Sequence, residues 1–288
     1  MLFRRPAQLV ILLVWLLALS CWAQTPGMEQ VLDEARGGGT NRFWLDGQEA
    51  EFFSLERVAQ CQWLALQLDH PQAEDALLAA GAALALKKPS LYLVDARTQL
   101  PFFLREADQV RPGQVLIPPS LEATPHFATS KEIPIDLKRP VDSFIGCLMS
   151  NLNNLEYGEA RIHLQAIQDA LVRVGGKPHP YCEALNLARP ADFDRPAKAL
   201  AQDLAALSLA KTCIFYLYDG KSRPSGMWVE MGAALAWNKP CVLLTPNLEA
   251  LPPALRLPQA NLRVVVYQSH QHLLHQLEGD NAQSLVVP

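Results

Sequence analysis

The sequence predicts an α/β protein built from two doubly wound, mostly parallel sheets in tandem, the first shorter than the second. Three observations carry this. Residues 81–89 read GAALALKKP and residues 232–240 read GAALAWNKP, with seven of nine positions identical. The same offset of 151 residues carries Leu100-Pro101 onto Leu251-Pro252 and Leu104-Arg105 onto Leu255-Arg256. A register that unbroken points to two copies of one structural unit. Strand-length apolar runs alternate with helical patterns along the chain, which implies a mostly parallel sheet with helices on both faces. The runs are apolar throughout, as strands buried on both faces must be.

The elements follow in order. Residues 25–41 form a polar entry with Gly37-Gly38-Gly39, read as a linker. From Ser54 the first copy reads helix, strand 63–68, helix 74–86, strand 91–94 and strand 114–117, and Lys88-Pro89 ends the second helix. It shows no clear opening strand and helix, so it is the degenerate copy. The stretch after residue 118 carries Pro118, Pro119, Pro125, Pro134 and Pro140 and few apolar residues, as an inter-domain connector does. The second unit opens with strand 143–149. A helix over 156–174 places Leu164, Ile167, Leu171 and Val174 on one stripe and stops at Gly175-Gly176. Helix 197–209, strand 213–218, helix 226–237, strands 241–244 and 262–267 and helix 270–277 complete it. The domain reading is therefore a leader over 1–23, a first unit over 24–118, a linker over 119–140 and a second unit over 141–288.

The leader rests on Arg4 and Arg5 ahead of an apolar run from Leu9 to Leu19, followed by the small residues Ser20, Cys21 and Ala23. That is the layout of a secretory signal peptide, cleaved after Ala23. It predicts a periplasmic or secreted protein that touches the membrane only through this segment, cleaved or retained as an anchor. Half the residues are apolar and 19% are charged, so the body is globular. With a net charge of −4 and no basic stripe, nucleic acid is not an expected partner. Cys61, Cys147, Cys182, Cys213 and Cys241 remain after the leader, an odd number with no paired spacing and no CxxC. They read as small core hydrophobes rather than as a zinc or redox motif. His270, His272 and His275 read as a solvated helix, not a metal cluster, and Trp228 and Trp237 as packing. No cofactor and no metal are expected.

The copies differ at one chemically decisive position. Two residues before the shared Gly, the second copy has Glu230 and the first has Ala79. In open α/β sheets ligands bind beyond the carboxyl ends of the strands. Strand 213–218 ends at Asp219-Gly220, and the next helix begins near Ser225-Gly226 with Glu230 just inside it. Asp219, Ser225 and Glu230 are thus expected to converge on one cleft. Gly226 would let a ligand approach the backbone, and the helix N-terminus would keep Glu230 ionised. An ionised, sheltered carboxylate can attack an anomeric carbon and form a covalent glycosyl intermediate, with Asp219 orienting the sugar or handling a proton. Tyr157, Glu159 and Arg161, at the start of the helix after strand 143–149, are further residues within reach.

The run CIFYLYDG followed by SGMWVEMGAALAWNKPCVLL resembles the nucleoside 2-deoxyribosyltransferases. The matching residues are Asp219, Gly220, Gly226, Glu230, Gly232, Ala234, Lys239 and Pro240. The resemblance spans about 141–270 and is most specific over 213–244. It departs at Pro224 and Ser225, where the family often has an acidic residue, and at Met227, where it often has Thr. The resemblance implies a flavodoxin-like fold, cleavage of N-glycosidic bonds and a covalent glycosyl-Glu intermediate. Related N-glycosidases hydrolyse nucleotides, and TIR-type NADases use a comparable Glu. Family members often assemble so that a neighbouring subunit completes the site, so a homo-oligomer is one expectation. A fused, Glu-less first copy taking that neighbour's place is another.

The expected function is cleavage or transfer at the N-glycosidic bond of a small-molecule nucleoside or nucleotide. Glu230 is the expected nucleophile, Asp219 its catalytic partner, and Gly220, Ser225, Gly226 and Tyr157 the substrate-binding residues. The alternatives are a nucleoside- or nucleotide-binding module without turnover and a structural protein of the cell envelope.

Overall fold

The computed structural model describes residues 30–31, 43–45, 48–50, 52–68, 74–94, 100–117, 133, 135, 137, 140–147, 152–187, 195–219, 226–279 and 282–286. The leader over 1–23, the glycine run at 37–39, most of the 119–140 linker, and Gly220 and Ser225 lie outside the described residues. Among the described residues no helix is long and apolar enough to cross a membrane.

The two sheets each have five strands and are flanked by helices. In the second unit the strands are β6 (Ser143–Cys147), β7 (Pro180–Tyr181), β8 (Thr212–Tyr216), β9 (Cys241–Thr245) and β10 (Leu262–Val266). Their spatial order is β7-β6-β8-β9-β10, every pairing parallel. Counted from β6 this is the order 2-1-3-4-5 of flavodoxin-like sheets. The chain leaves β6 towards one edge and leaves β8 towards the other. The topological switch point therefore lies between β6 and β8.

Side chains alternate across this sheet. Phe144, Phe215, Leu217 and Leu243 point to the core shared with the first unit. Ile145, Ile214, Tyr216, Val242 and Leu244 point to α4 (Asn154–Arg173) and α8 (His270–Glu278). Helix α4 begins with a reciprocal cap. Asn153 Oδ1 accepts the N–H groups of Leu155 and Glu156 at 2.9 and 3.0 Å, and Glu156 Oε2 accepts the Asn153 N–H at 2.8 Å.

The first unit carries β1 (Phe43–Leu45), β2 (Gln48–Ala50), α1 (Leu55–Gln60), β3 (Leu64–Gln67), α2 (Glu74–Leu86), β4 (Ser90–Leu93), a 3-10 turn (Phe102–Leu104), α3 (Ala107–Val110) and β5 (Val115–Leu116). Strands β3, β4 and β5 run parallel. The opening, which the sequence reading left without a strand, is an antiparallel hairpin: β1 pairs with β2 on one side and with β3 on the other. Three-residue strands are too short to show an alternation pattern. Because β1 runs against β3 where β6 runs with β8, the first sheet has no parallel β6/β8-type crevice beside β3.

The duplication extends to individual hydrogen bonds. Helices α2 and α7 (Gly226–Ala236) both end at a residue in the left-handed region, Lys87 (φ 56°) and Asn238 (φ 54°). The next N–H then reaches back, Lys88 to Ala83 O and Lys239 to Ala234 O, each at 2.9 Å. Arg105 Nε donates to Leu100 O at 2.9 Å, and Arg256 Nε to Leu251 O at 3.0 Å.

Helices α2 and α7 also join the units. From Ala76 to Ala85 every residue of α2 is buried, as are the residues from Gly226 to Leu235 of α7. A helix apolar all round must be enclosed by protein. Gly81 abuts the main chain of Val229, and Gly232 abuts the main chain of Leu78. These pairs exchange under the 151-residue offset, so the contact is isologous, like that of a twofold dimer. One apolar core runs continuously through both units, with Trp228 fully buried in it.

Candidate functional site

Glu230 lies one turn into α7, and the fold carries its side chain to the switch point. Its Oε2 rests against Gly146, the penultimate residue of β6; a Cβ on Gly146 would lie 2.5 Å from that oxygen. A glycine inside an otherwise apolar strand marks such a close approach. Glu230 is 7% exposed, and Oε2 has no hydrogen-bond partner among the described residues. An unpaired buried carboxyl oxygen is costly, and a fold that retains one calls for an explanation.

Its electrostatics correct one expectation. Burial pushes the Glu230 carboxyl well above the ordinary range, and the nearby acid Asp203 and the thiols of Cys182 and Cys213 push it the same way. The positive end of α7 does not keep it ionised, because loss of solvation outweighs a partial charge.

Asp203 is the acid that the sequence reading passed over. It sits in α6 (Pro196–Leu209), 3% exposed. The Tyr181 hydroxyl lies 3.1 Å from Asp203 Oδ1 and 2.9 Å from Glu183 Oε2. A phenol has one proton and cannot donate to both. Burial, and then the Glu183 charge, raise Asp203 to about 8. The chain runs from Asp203 through the Tyr181 hydroxyl, within donating distance of both acids, to Glu183, whose Oε2 also accepts from Asn186 Nδ2 at 3.3 Å. The available signal in the sequence was a single acidic residue among the Ala and Leu of 196–209.

A cavity of about 760 Å³ opens beside this chain. Tyr181, Glu183 and Asp203 line it, with His179, Lys198 and Gln202 on its walls. Its size suits a small organic ligand. Glu230 is not among its lining residues; Asp203 connects the two, lining the cavity on one side and bearing on Glu230 on the other.

The remaining expected residues fall in different places. Gly226 is not open to a ligand. The ring of Phe103, from the first unit, covers it; a Cβ there would meet Phe103 Cδ2 at 2.7 Å. Tyr157 is buried, and its hydroxyl is engaged by the carbonyl oxygens of Ala184 and Leu187 at 3.1 and 3.0 Å. That bond ties α4 to α5 (Glu183–Asn186). Arg161 donates to Leu187 O and Leu185 O on the same segment. Asp219 is half-buried, and its charge bears on Tyr218 and Tyr267. The acid whose charge bears on Glu230 is Asp203.

Around Tyr218 is a second cluster that the sequence did not reveal. His163 Nδ1 lies 2.7 Å from the Tyr216 hydroxyl, and the His163 and His270 rings are 4.6 Å apart. The His270 ring lies equally close to that of Tyr218, tilted against it, and Tyr218 donates to Glu159. His270 is thus part of a packed aromatic cluster rather than a solvated face. Burial, with the His270 charge, lowers His163 to about 4. Among the described residues no group of three His, Cys, Asp or Glu side chains is arranged to hold a metal ion.

Four of the five cysteines, unpaired in spacing, are neighbours in space. The free thiol of Cys147 lies beside that of Cys182, and the free thiol of Cys213 beside that of Cys241 across β8 and β9. No protein-family model matches the chain, and no curated protein matches it.

Proposed function

We propose that the second unit cleaves or transfers at the N-glycosidic bond of a nucleoside or nucleotide, with Glu230 as nucleophile and Asp203 as its acid. The observation that carries this reading is a buried carboxyl with an unpartnered oxygen at the β6/β8 switch point, Glu230, on which the charge of a second buried acid, Asp203, bears. The resemblance of residues 213–244 to the deoxyribosyltransferases supplies the substrate class.

The Glu230 carboxylate attacks C1′ of the sugar, and the bond from C1′ to the base nitrogen breaks. The electron pair leaves on the base, which takes the proton held by Asp203. Water, or a second base, then attacks C1′ and frees Glu230. The proton lost by that nucleophile returns to Asp203, as microscopic reversibility requires. The reactive form carries one proton on the pair. Two coupled acids titrate as a unit, and in the reactive form the one proton sits on Asp203 while Glu230 is ionised.

The fold assignment that goes with this reading is a truncated first copy fused to a complete second one. The first copy takes the place of a neighbouring subunit and has lost the acid, with Ala79 standing where Glu230 stands. The leader over 1–23 makes the protein an exported one, periplasmic or secreted.

Ligand binding without turnover is the competing reading. One observation favours it: burial raises the Glu230 carboxyl, which favours the protonated form, a hydrogen-bond donor rather than a nucleophile. Incubation with 2′-deoxynucleosides, 5′-nucleotides and NAD, followed by chromatography for free base, separates the two. Base release lost in Glu230→Gln is the expected result. Absence of release from every substrate favours the binder.

A further inference from the structure

Both acid-bearing helices of the second unit start against the first unit, and two residues of one short segment hold them. Phe103 lies in the 3-10 turn after β4 and packs its ring on Gly226, the first residue of α7, four residues before Glu230. Glu106, three residues on, reaches α6: its Oε2 accepts the Ala197 N–H at 3.1 Å, in the turn that leads to Asp203. Helix α6 opens with Pro196, and Arg195 supplies no side-chain cap. The free N–H groups of a helix start need an acceptor, and a carboxylate also suits the positive end of the dipole. Here the acceptor comes from 91 residues earlier in the chain.

Neither residue recurs in the repeat. The positions 151 residues on are Ala254 and Leu257. The copies have diverged in complementary ways: the second carries the acid pair, and the first carries the contacts that fix where its two helices begin. We propose that Phe103 and Glu106 are positioning residues that set the separation of Glu230 and Asp203. The role rests on the reading of that pair as the reacting groups. Two acids raise each other according to their distance. A shift of either helix start therefore changes the proton affinity of the pair, which a general loss of stability does not do.

The test uses the full chain with Glu106→Ala and Phe103→Ala, beside the conservative Glu106→Gln and Phe103→Leu. The Ala variants are expected to lose roughly ten- to a hundredfold in kcat, with KM little changed. Their pH–rate profiles are expected to move by about half a unit. Glu106→Gln keeps a carbonyl oxygen for the Ala197 N–H and is expected to restore both. Unmoved kcat and pH profile in Glu106→Ala, with only a lower Tm, would overturn the proposal. If Glu106→Ala does not fold, Phe103→Ala against Phe103→Leu gives the same comparison. Should wild type release no base from any substrate, the reading of the pair fails separately. The brace is then judged by 13C NMR titration of the Asp203 carboxyl: a midpoint displaced in the folded brace variants supports it, and an unchanged midpoint overturns it.

Discussion

Gly81 lies against the main chain of Val229 with no room for a methyl group between them. Its repeat mate Gly232 meets Leu78 in the same way. The neighbour in each case is backbone, which cannot rotate aside as a side chain can. The helix crossing that joins the two units therefore depends on hydrogen at both positions.

Gly81→Ala and Gly232→Ala should each destabilise the protein by about 3 kcal/mol or more, because overpacking a rigid crossing forces the helices apart. Gly158, on the exposed face of α4 with nothing near its Cβ direction, is the control. Gly158→Ala should be neutral or stabilising by about 0.5–1 kcal/mol through helix propensity. Urea unfolding of the three variants checks both statements.

Asp203 makes stability depend on pH with a definite sign. Its carboxyl ionises near 3.8 when exposed and at about 8 in the fold. Between those values the native state holds a proton that the unfolded chain has released, so stability falls as pH rises, by up to about 1.4 kcal/mol per pH unit. Asp203→Asn should flatten this limb and leave the variant more stable than wild type at pH 8. Unfolding free energies measured from pH 5 to pH 8 test it; a wild-type curve rising over that range would contradict the assignment.

His163 acts at the other end of the scale. Burial lowers it to about 4 from 6.5, so it is neutral in the fold where an exposed imidazole would charge. Stability should fall as pH drops from about 6.5 to about 4, and His163→Gln should remove that contribution. Unfolding free energies of wild type and His163→Gln from pH 4 to pH 7 check it: the wild-type fall should be reduced in the variant.

Gly146→Ala should displace Glu230, since the added carbon would overlap Oε2. The expected outcome is loss of base release by about a hundredfold or more, and a lowered Tm. Retained activity would place the working carboxyl elsewhere.

Much of the fold was legible because its elements are long and apolar. The 74–86 helix is observed with the predicted ends, and the strands near 213 and 241 shift by one residue at most at their starts. Their burial on both faces leaves a composition that local sequence displays. The hairpin at 43–50 was not legible, since its strands are short and gain their pairing from β3. The site was read in part. Glu230 stood out only because the repeat supplied Ala79 as a contrast. Asp203 sits within a helix whose neighbours gave no cue, and its meeting with Glu230 depends on the sheet order. Gly226 was read as open space, but tertiary packing filled that space with Phe103, a residue 123 positions away. The charge of Glu230 was inferred from the helix end alone, which omits the larger effect of burial.

The most direct test is peptide mass spectrometry after an acid quench. The protein is incubated in turn with a 2′-deoxynucleoside, a 5′-nucleotide and NAD. The account predicts a sugar-derived mass increase on the peptide containing Glu230 with one of them, absent in Glu230→Gln. An adduct on a different residue, or none with any of the three, would contradict it.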